Sequence, residues 1–371
     1  MRALHHRLPS KLLVASSLFL VFVLNATAQA SNVQSRITQE VNDSQRTVLR
    51  GNTHPLARAE FDRGPAPSTL AMDRMMLVLK RSPAQEAALE KLMAEQQDRS
   101  SPNFHKWLTP AEFGQAFGPS DQDIQKITSW LELHGFQVAT VSNGRGIIEF
   151  SGTAAQVEAA FHAPIHRFVV NGEEHWANAN DPDIPVALTP VVGGVATLHN
   201  FFPKPMSHVM RPSSRVQSAA GVASVMPQVT FNTSSPCGLT VVDQCFGIGP
   251  TDFATIYNVQ PLWNAGIDGS GETIAVVTDS NINIQDVRDF RGIFGLPAKD
   301  PIVTLNGTNP GPNGDEIEAV LDVEWAGAVA RNATINLVVS KNAASSGVDL
   351  SATDIVDNNL APILSESFGN C

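Results

Sequence analysis

The chain has 371 residues, 43% hydrophobic and 16% charged, with a formal net charge of -11, an ordinary globular composition long enough for two or three domains. The acidity is uneven: from Pro236 onward there are 17 Asp and Glu against 5 Lys and Arg, and all ten histidines precede that point. This excludes a phosphate backbone as partner, which needs clustered Lys and Arg, and it excludes histidine as a general base within the acidic part.

The first residues carry Arg2 and Lys11, an apolar run from Leu12 to Leu24, and Ala28-Gln-Ala30. That pattern predicts a secretory signal over 1–30 with cleavage after Ala30, hence a secreted, extracellular protein. The run is short for a membrane span and no later segment is longer, so no membrane anchor is expected. Residues 31–54 read as a polar, flexible lead. Next come a strand over Met75–Lys80, an amphipathic helix over Pro83–Gln97, and a helix over Ser120–His134 with Asp121 and Asp123 at its positive end. Strands over Phe136–Ser142 and Gly146–Phe150 flank Asn143-Gly144, Thr153–Phe161 is helical, and strands over Ile165–Val170 and His175–Ala179 flank Asn171-Gly172. This order predicts an α+β sandwich of the ferredoxin-like kind with an extra helix over 55–200, with no nucleophile motif or phosphate loop. Residues 201–235, rich in Pro, Ser, Ala, Met and Val, read as a protease-sensitive linker.

Beyond it, over 236–371, a short helix over Thr251–Asn258, a buried strand over Thr273–Thr278, a helix over Asn283–Phe294, a long turn through Asn306–Gly314, a helix over 314–330, a strand over Thr334–Val339, a helix over Leu350–Asn358 and a strand over Pro362–Ser365 alternate. Alternation predicts a doubly wound parallel sheet covered on both faces, with sites at strand carboxyl ends. In the helix 314–330, Ile317, Val320, Leu321 and Ala328 form the expected buried face, while Glu318 and Asp322 stack one turn apart with Trp325 beyond. In a dry site two such carboxylates share a proton, which is acid/base machinery for low pH. The bland alternative is that Asp315 and Glu318 form a capping arrangement at a helix N-terminus.

Cys237 and Cys245 bracket a short loop and, in an exported chain, point to a local disulfide; they make a poor zinc site, and no metal ligands are assigned. Cys371 is left over as an odd cysteine. Asp279-Ser280 at a strand end resembles the Asp-Ser/Thr-Gly segment of subtilisins, but Asn281 stands where glycine belongs and no His-Gly-Thr-His follows. A capping aspartate at a strand-to-helix turn is the better reading of Asp279. Asn42, Asn232, Asn306 and Asn332 each start an N-x-Ser/Thr triplet.

Lys106-Trp-Leu-Thr-Pro-Ala-Glu-Phe113, Trp130-Leu-Glu-Leu-His-Gly-Phe136, Phe150-Ser-Gly-Thr-Ala-Ala-Gln-Val-Glu-Ala-Ala-Phe161 and Glu318-Ala-Val-Leu-Asp-Val-Glu-Trp-Ala-Gly-Ala328 together resemble the sedolisins, or serine-carboxyl peptidases, with a kumamolisin-type activation prodomain. The resemblance implies a subtilisin-like α/β fold for the C-terminal part and a Ser-Glu-Asp triad in which Glu318 is the general base and Asp322 orients it. It assigns the cleft-lining, substrate-binding role to Ser367 and Gly369 in Ser365-Glu-Ser-Phe-Gly369. It implies calcium, with ligands outside this chain. The family's Gly-Thr-Ser nucleophile and Ser-Gly-Asp oxyanion segments occur nowhere in these residues, so the expectation is a C-terminally truncated precursor that does not hydrolyse peptides by this route. The expected partners are a polypeptide substrate and the chain's own prodomain in cis, in a monomer without nucleic acid or membrane. Protonation of His134, His162, His166 or His175 is expected to aid release of the prodomain. The rival expectation is a non-catalytic inhibitor acting through its prodomain on a related peptidase; an exported adhesin has only the acidic surface in its favour.

Overall fold

The computed structural model describes residues 33–205, 207, 229–232 and 244–369, with backbone alone at 229–232 and 244–247. The expected signal peptide, most of the expected linker, Cys237 and Cys371 lie outside the described residues, as does the side chain of Cys245. Among the described residues no helix is long and apolar enough to cross a membrane.

In chain order the first half contains β1 Arg46–Val48, β2 Asp62–Pro65, β3 Ala71–Leu79, α1 Pro83–Gln97, α2 Pro110–Phe117, α3 Asp121–Leu133, β4 Gln137–Val141, β5 Ile147–Thr153, α4 Ala154–Phe161, β6 Ile165–Val170, β7 Glu173–Asn178, β8 Asp183–Pro185 and β9 Val192–Val195. Local chemistry starts the helices. Ser82 with Gln85, Thr109 with Glu112 and Thr153 with Gln156 each close a reciprocal capping box, and Pro83 and Pro110 occupy the first helical turn. Antiparallel strands in the order β4-β5-β3-β9 form the main sheet. Met72, Met75, Leu77, Ile148 and Phe150 bury one of its faces against Ile127, Trp130, Leu131, Val157 and Phe161 of α3 and α4. Trp130 meets Phe161, and Phe136 meets Phe150, edge to face, the arrangement favoured by the ring quadrupoles.

Two expectations need correction. The fourth strand of the main sheet is β9, not Ile165–Val170, which instead pairs with β2 and β7 in a sheet of its own. β9 reads Val-Gly-Gly-Val, and glycine is a poor strand signal. Gly194 is required there because a Cβ would sit 2.7 Å from Asn52 Oδ1, which accepts the Val195 N–H at 3.1 Å. The polar lead is also not loose. Ile37 is wholly buried, and Asp123 accepts hydrogen bonds from Ser35 Oγ and from the Arg36 and Ile37 amides. β1 pairs with β8.

The chain continues through β10 Lys204–Pro205, β11 Val229–Asn232, β12 Gln244–Gly247, α5 Pro250–Ile256, α6 Gln260–Asn264, β13 Thr273–Thr278, α7 Ile284–Ile293, β14 Ile302–Leu305, α8 Glu316–Val329, β15 Thr334–Val339, α9 Gly347–Asp357, β16 Ile363–Ser365 and β17 Phe368–Gly369. A parallel sheet runs in the order β14-β15-β13-β16. Alternate residues of β13 and β15 point to opposite faces. Val276, Ile335 and Leu337 meet Val287 of α7 and Ala319 and Val323 of α8, while Ala275, Val277 and Val338 meet Val348 and Ile355 of α9. Both faces are therefore covered. β14 is an additional strand, four half-exposed residues at the sheet edge, too short to declare a period.

The two halves touch through a bulge in β3, where the register shifts between Met72 and Met75. A bulge re-aims the strand's side chains. Here Arg74, at φ 57°, pairs with Glu149 at 2.7 Å and donates to the Asn306 carbonyl at 2.8 Å, while the Asp73 carbonyl accepts the Ala344 N–H at 2.7 Å. Thr197 Oγ1 lies 2.7 Å from Ser345 Oγ, and the Gly144 N–H donates to Asp357 at 2.9 Å.

Candidate active site

Helix α8 lies against β13 and β15, and its buried positions are Glu318, Ala319, Val323, Gly327 and Ala328. The expected face holds for Ala328, which is buried, and in part for Val320, but not for Ile317 and Leu321, 63% and 36% exposed, whereas Glu318 is 3% exposed. Small residues let the helix sit close to the sheet, so alanine and glycine, not the large aliphatics, mark its inner side. Ile317, Val320 and Leu321 instead floor an open cavity of about 510 Å³ rimmed by Ser207, Asp286, Glu316 and Glu324.

The capping alternative fails on geometry. Asp315 makes no side-chain cap bond, and its own amide is taken by Asn313 Oδ1 at 2.8 Å. Glu318 reaches no helix amide; its Oε2 accepts the N–H of Ser207 at 3.2 Å, from a segment 111 residues earlier. One turn on, Asp322 Oδ1 accepts a hydrogen bond from Ser367 Oγ at 2.8 Å, and its buried Oδ2 has no partner among the described residues. Burial pushes Asp322 up to about 6, with the Ser367 hydroxyl opposing and the Glu318 charge adding to the rise. A carboxyl at that level holds a proton in mild acid.

Ser367 thus points at Asp322, while Phe368–Gly369 offers its backbone. β10 pairs antiparallel with β17, Lys204 opposite Gly369 and Pro205 opposite Phe368. Lys204–Pro205 therefore lies as an added strand on this edge, and the Ser207 amide donates to Glu318. Neither contact was legible in the sequence, because each joins residues more than 100 positions apart, and the segment they share has no periodicity.

Glu324, on the other side of α8, is pushed up to about 7 by burial and then by Asp286. Asp279 is not a cap: Asn283 Oδ1 caps α7 by accepting the Gln285 N–H. Asp279 is buried, accepts from Asn342 Nδ2 at 2.6 Å, and is pushed up to about 6 by burial and by Asp315. Ser280 Oγ donates to the Asn281 carbonyl and accepts the Asn313 N–H, which ties it into the turn. Among the described residues no group of three or more His, Cys, Asp or Glu side chains is arranged to hold a metal ion.

Residues 60–201 match the Pro-kumamolisin activation domain family. The chain is 24% identical over 299 residues to Sedolisin of Pseudomonas sp. (strain 101), covering 77% of this chain and 46% of that protein. It is 25% identical over 335 residues to Kumamolisin of Bacillus sp. (strain MN-32), covering 88% and 56%, and 26% identical over 306 residues to Xanthomonalisin of Xanthomonas sp. (strain T-22), covering 76% and 33%. The chain thus spans between a third and just over half of the length of these relatives.

Proposed function

We propose that the chain, whose residues 60–201 match the Pro-kumamolisin activation domain and which is similar to Sedolisin and Kumamolisin, is a sedolisin-family precursor, part of a secreted, acid-acting serine-carboxyl endopeptidase whose prodomain inhibits it in cis. The ferredoxin-like reading of residues 55–200 and the subtilisin-like reading of 236–371 belong to this proposal. So do the division at 201–235, export through residues 1–30 and the monomeric state.

In this reading Glu318 is the base that takes a proton from a nucleophile hydroxyl and returns it to the leaving amine, and Asp322 orients it and shares its proton. A carboxylate pair does this in acid, where an imidazole would already be charged. Ser367 holds Asp322 by one oxygen, and the Phe368–Gly369 edge binds the substrate backbone by strand addition. The observation that carries the reading is the occupant of that edge: Lys204–Pro205 lies antiparallel on Phe368–Gly369, and the Ser207 amide donates to Glu318, as a substrate strand would. The contacts from Arg74, Asp73 and Thr197 to the chain's own α/β half favour inhibition in cis over the rival inhibitor in trans.

The Gly-Thr-Ser and Ser-Gly-Asp segments that the resemblance assigns to nucleophile and oxyanion carboxylate do not occur in the 371 residues, so these residues alone are expected to bind peptide without hydrolysing it. Sequencing the transcript past codon 371 tests the enzyme reading. Both segments are expected in frame, and a stop codon before either one overturns it.

A further inference from the structure

The strand laid over Glu318 is anchored at its root by Phe201. This ring is 7% exposed and packs with Phe168, Val170 and Ala177. It is flanked by two stacked imidazoles, His54 with centroids 4.3 Å apart and His175 at 4.1 Å, and His199 lies 4.7 Å from His54. The hydrogen bonds fix the protonation state. His199 Nδ1 accepts the Phe201 N–H and His54 Nδ1 accepts the Leu56 N–H, each at 3.2 Å. An imidazolium carries hydrogen on both nitrogens, so charging either ring sets donor against donor. His175 Nδ1 is buried without a partner among the described residues.

Few opposite charges face this cluster. On β7, Glu173 lies 3.8 Å from His175 Nε2, but it is also 3.2 Å from Lys204 of β10. On the loop carrying His54, Arg58 and Glu60 pair with each other at 3.5 Å and are exposed. On β6, His166 is committed to Asp62 at 2.8 Å. The histidines first expected to sense acid differ in kind. His134, His162 and His166 each face a carboxylate; of the expected set, His175 alone belongs to the cluster.

We propose that His54 and His199 form a proton-operated clamp on Phe201, with the His175 ring stacked on it as well, which when neutral holds Phe201–Pro205 and the Ser207 amide at the Glu318 site and when protonated lets them go. The clamp rests on the reading of these residues as the cleft's plug. Its direction follows from the environment: burial, then the neighbouring histidines, lowers His199 to about 4, and burial, then His175, lowers His54. A histidine lowered in the folded state contributes stability fully above its unfolded value near 6.5, and that contribution is lost as pH falls from there toward 4.

Hydrogen exchange of the full chain, read by mass spectrometry between pH 7 and 4 and normalised to intrinsic amide rates, tests this. Protection at 201–207 and at Phe368–Gly369 should fall by about tenfold or more over that range, with Leu77 and Ile148 in the main sheet unchanged. The H54N/H199N double variant keeps an oxygen acceptor near each lost Nδ1 and should stay protected to pH 4. If that variant loses the main sheet as well, F201A at pH 7 replaces it, and segment 201–207 should open about tenfold there with the sheet intact. Protection that ignores pH in the parent, equal loss in the double variant, or an F201A segment as protected as the parent's overturns the clamp. Amides at Ser207 and Gly369 that are unprotected already at pH 7 overturn the plug itself, and no outcome depends on peptide hydrolysis.

Discussion

Asp322 shows how much of one residue's behaviour is set by its neighbours. A free aspartate at neutral pH loses nothing by being charged, but this one is half-buried, one turn from Glu318, with a single hydroxyl for compensation. Its native value is raised from 3.8 to about 6, so the folded state binds the proton more tightly than the unfolded one. Stability from that proton is complete below 3.8 and lost as pH rises through 6. Asp322→Asn removes the charge while keeping an acceptor for Ser367, and it should stabilise the fold by about 1 kcal/mol at pH 7.5 and by nothing at pH 4, the unscreened shift being discounted for partial exposure. Paired denaturant titrations at the two pH values measure this, and equal effects at both would show that the carboxyl is not raised. The Glu318 and Asp322 spacing was legible from helical geometry alone. Their partners were not, since Ser207 and Ser367 reach them only once the sheet has brought three distant segments together.

At the scale of elements, sequence signals worked where the chemistry is local. The capping box at Ser82 and the type of turn at Asn171-Gly172, both at positive φ, were visible in the residues themselves. The same box at Thr109 and Glu112 starts α2. Of the expected inner face of α8, Ala328 is buried while Ile317 and Leu321 are exposed, because burial there follows size as well as hydrophobicity. The lead over 31–54 was misread because its anchor lies far along the chain: Asp123 is fully buried and accepts bonds from Ser35, Arg36 and Ile37 as well as from nearby Ser120. Asp123→Ala strips these donors of their charged acceptor and should cost about 3 kcal/mol, with residues 33–40 becoming the first site of limited proteolysis. A stable variant with an uncut lead would show that Ile37 burial alone holds the segment.

Over the whole molecule, acid pulls the two halves in opposite directions. In the α/β half, burial raises Asp279, Asp322 and Glu324 to between about 6 and about 7 and raises Asp349 and Asp354 as well, so protonation between pH 7 and 4 stabilises it. In the first half, His54 and His199 are lowered, so the same acidification destabilises the layer of β6 and β7 around Phe201. The hydrogen-bonded carboxylates of this half, Asp43, Asp62, Asp123 and Asp181, are lowered too, and they withdraw their support as pH falls below 3.8. Amide protection in β13 and β15 should therefore rise between pH 7 and 4.5 while that in β6 and β7 falls; a common direction for both sheets would contradict this division of charge. The two-residue pairing of β10 with β17 has a further consequence. So short a contact would be negligible between separate molecules, but a tether keeps the local concentration of the strand in the millimolar range. Letting go of Phe201 would make the seal dynamic without removing it, and only scission of the backbone, followed by dilution, would make the opening permanent.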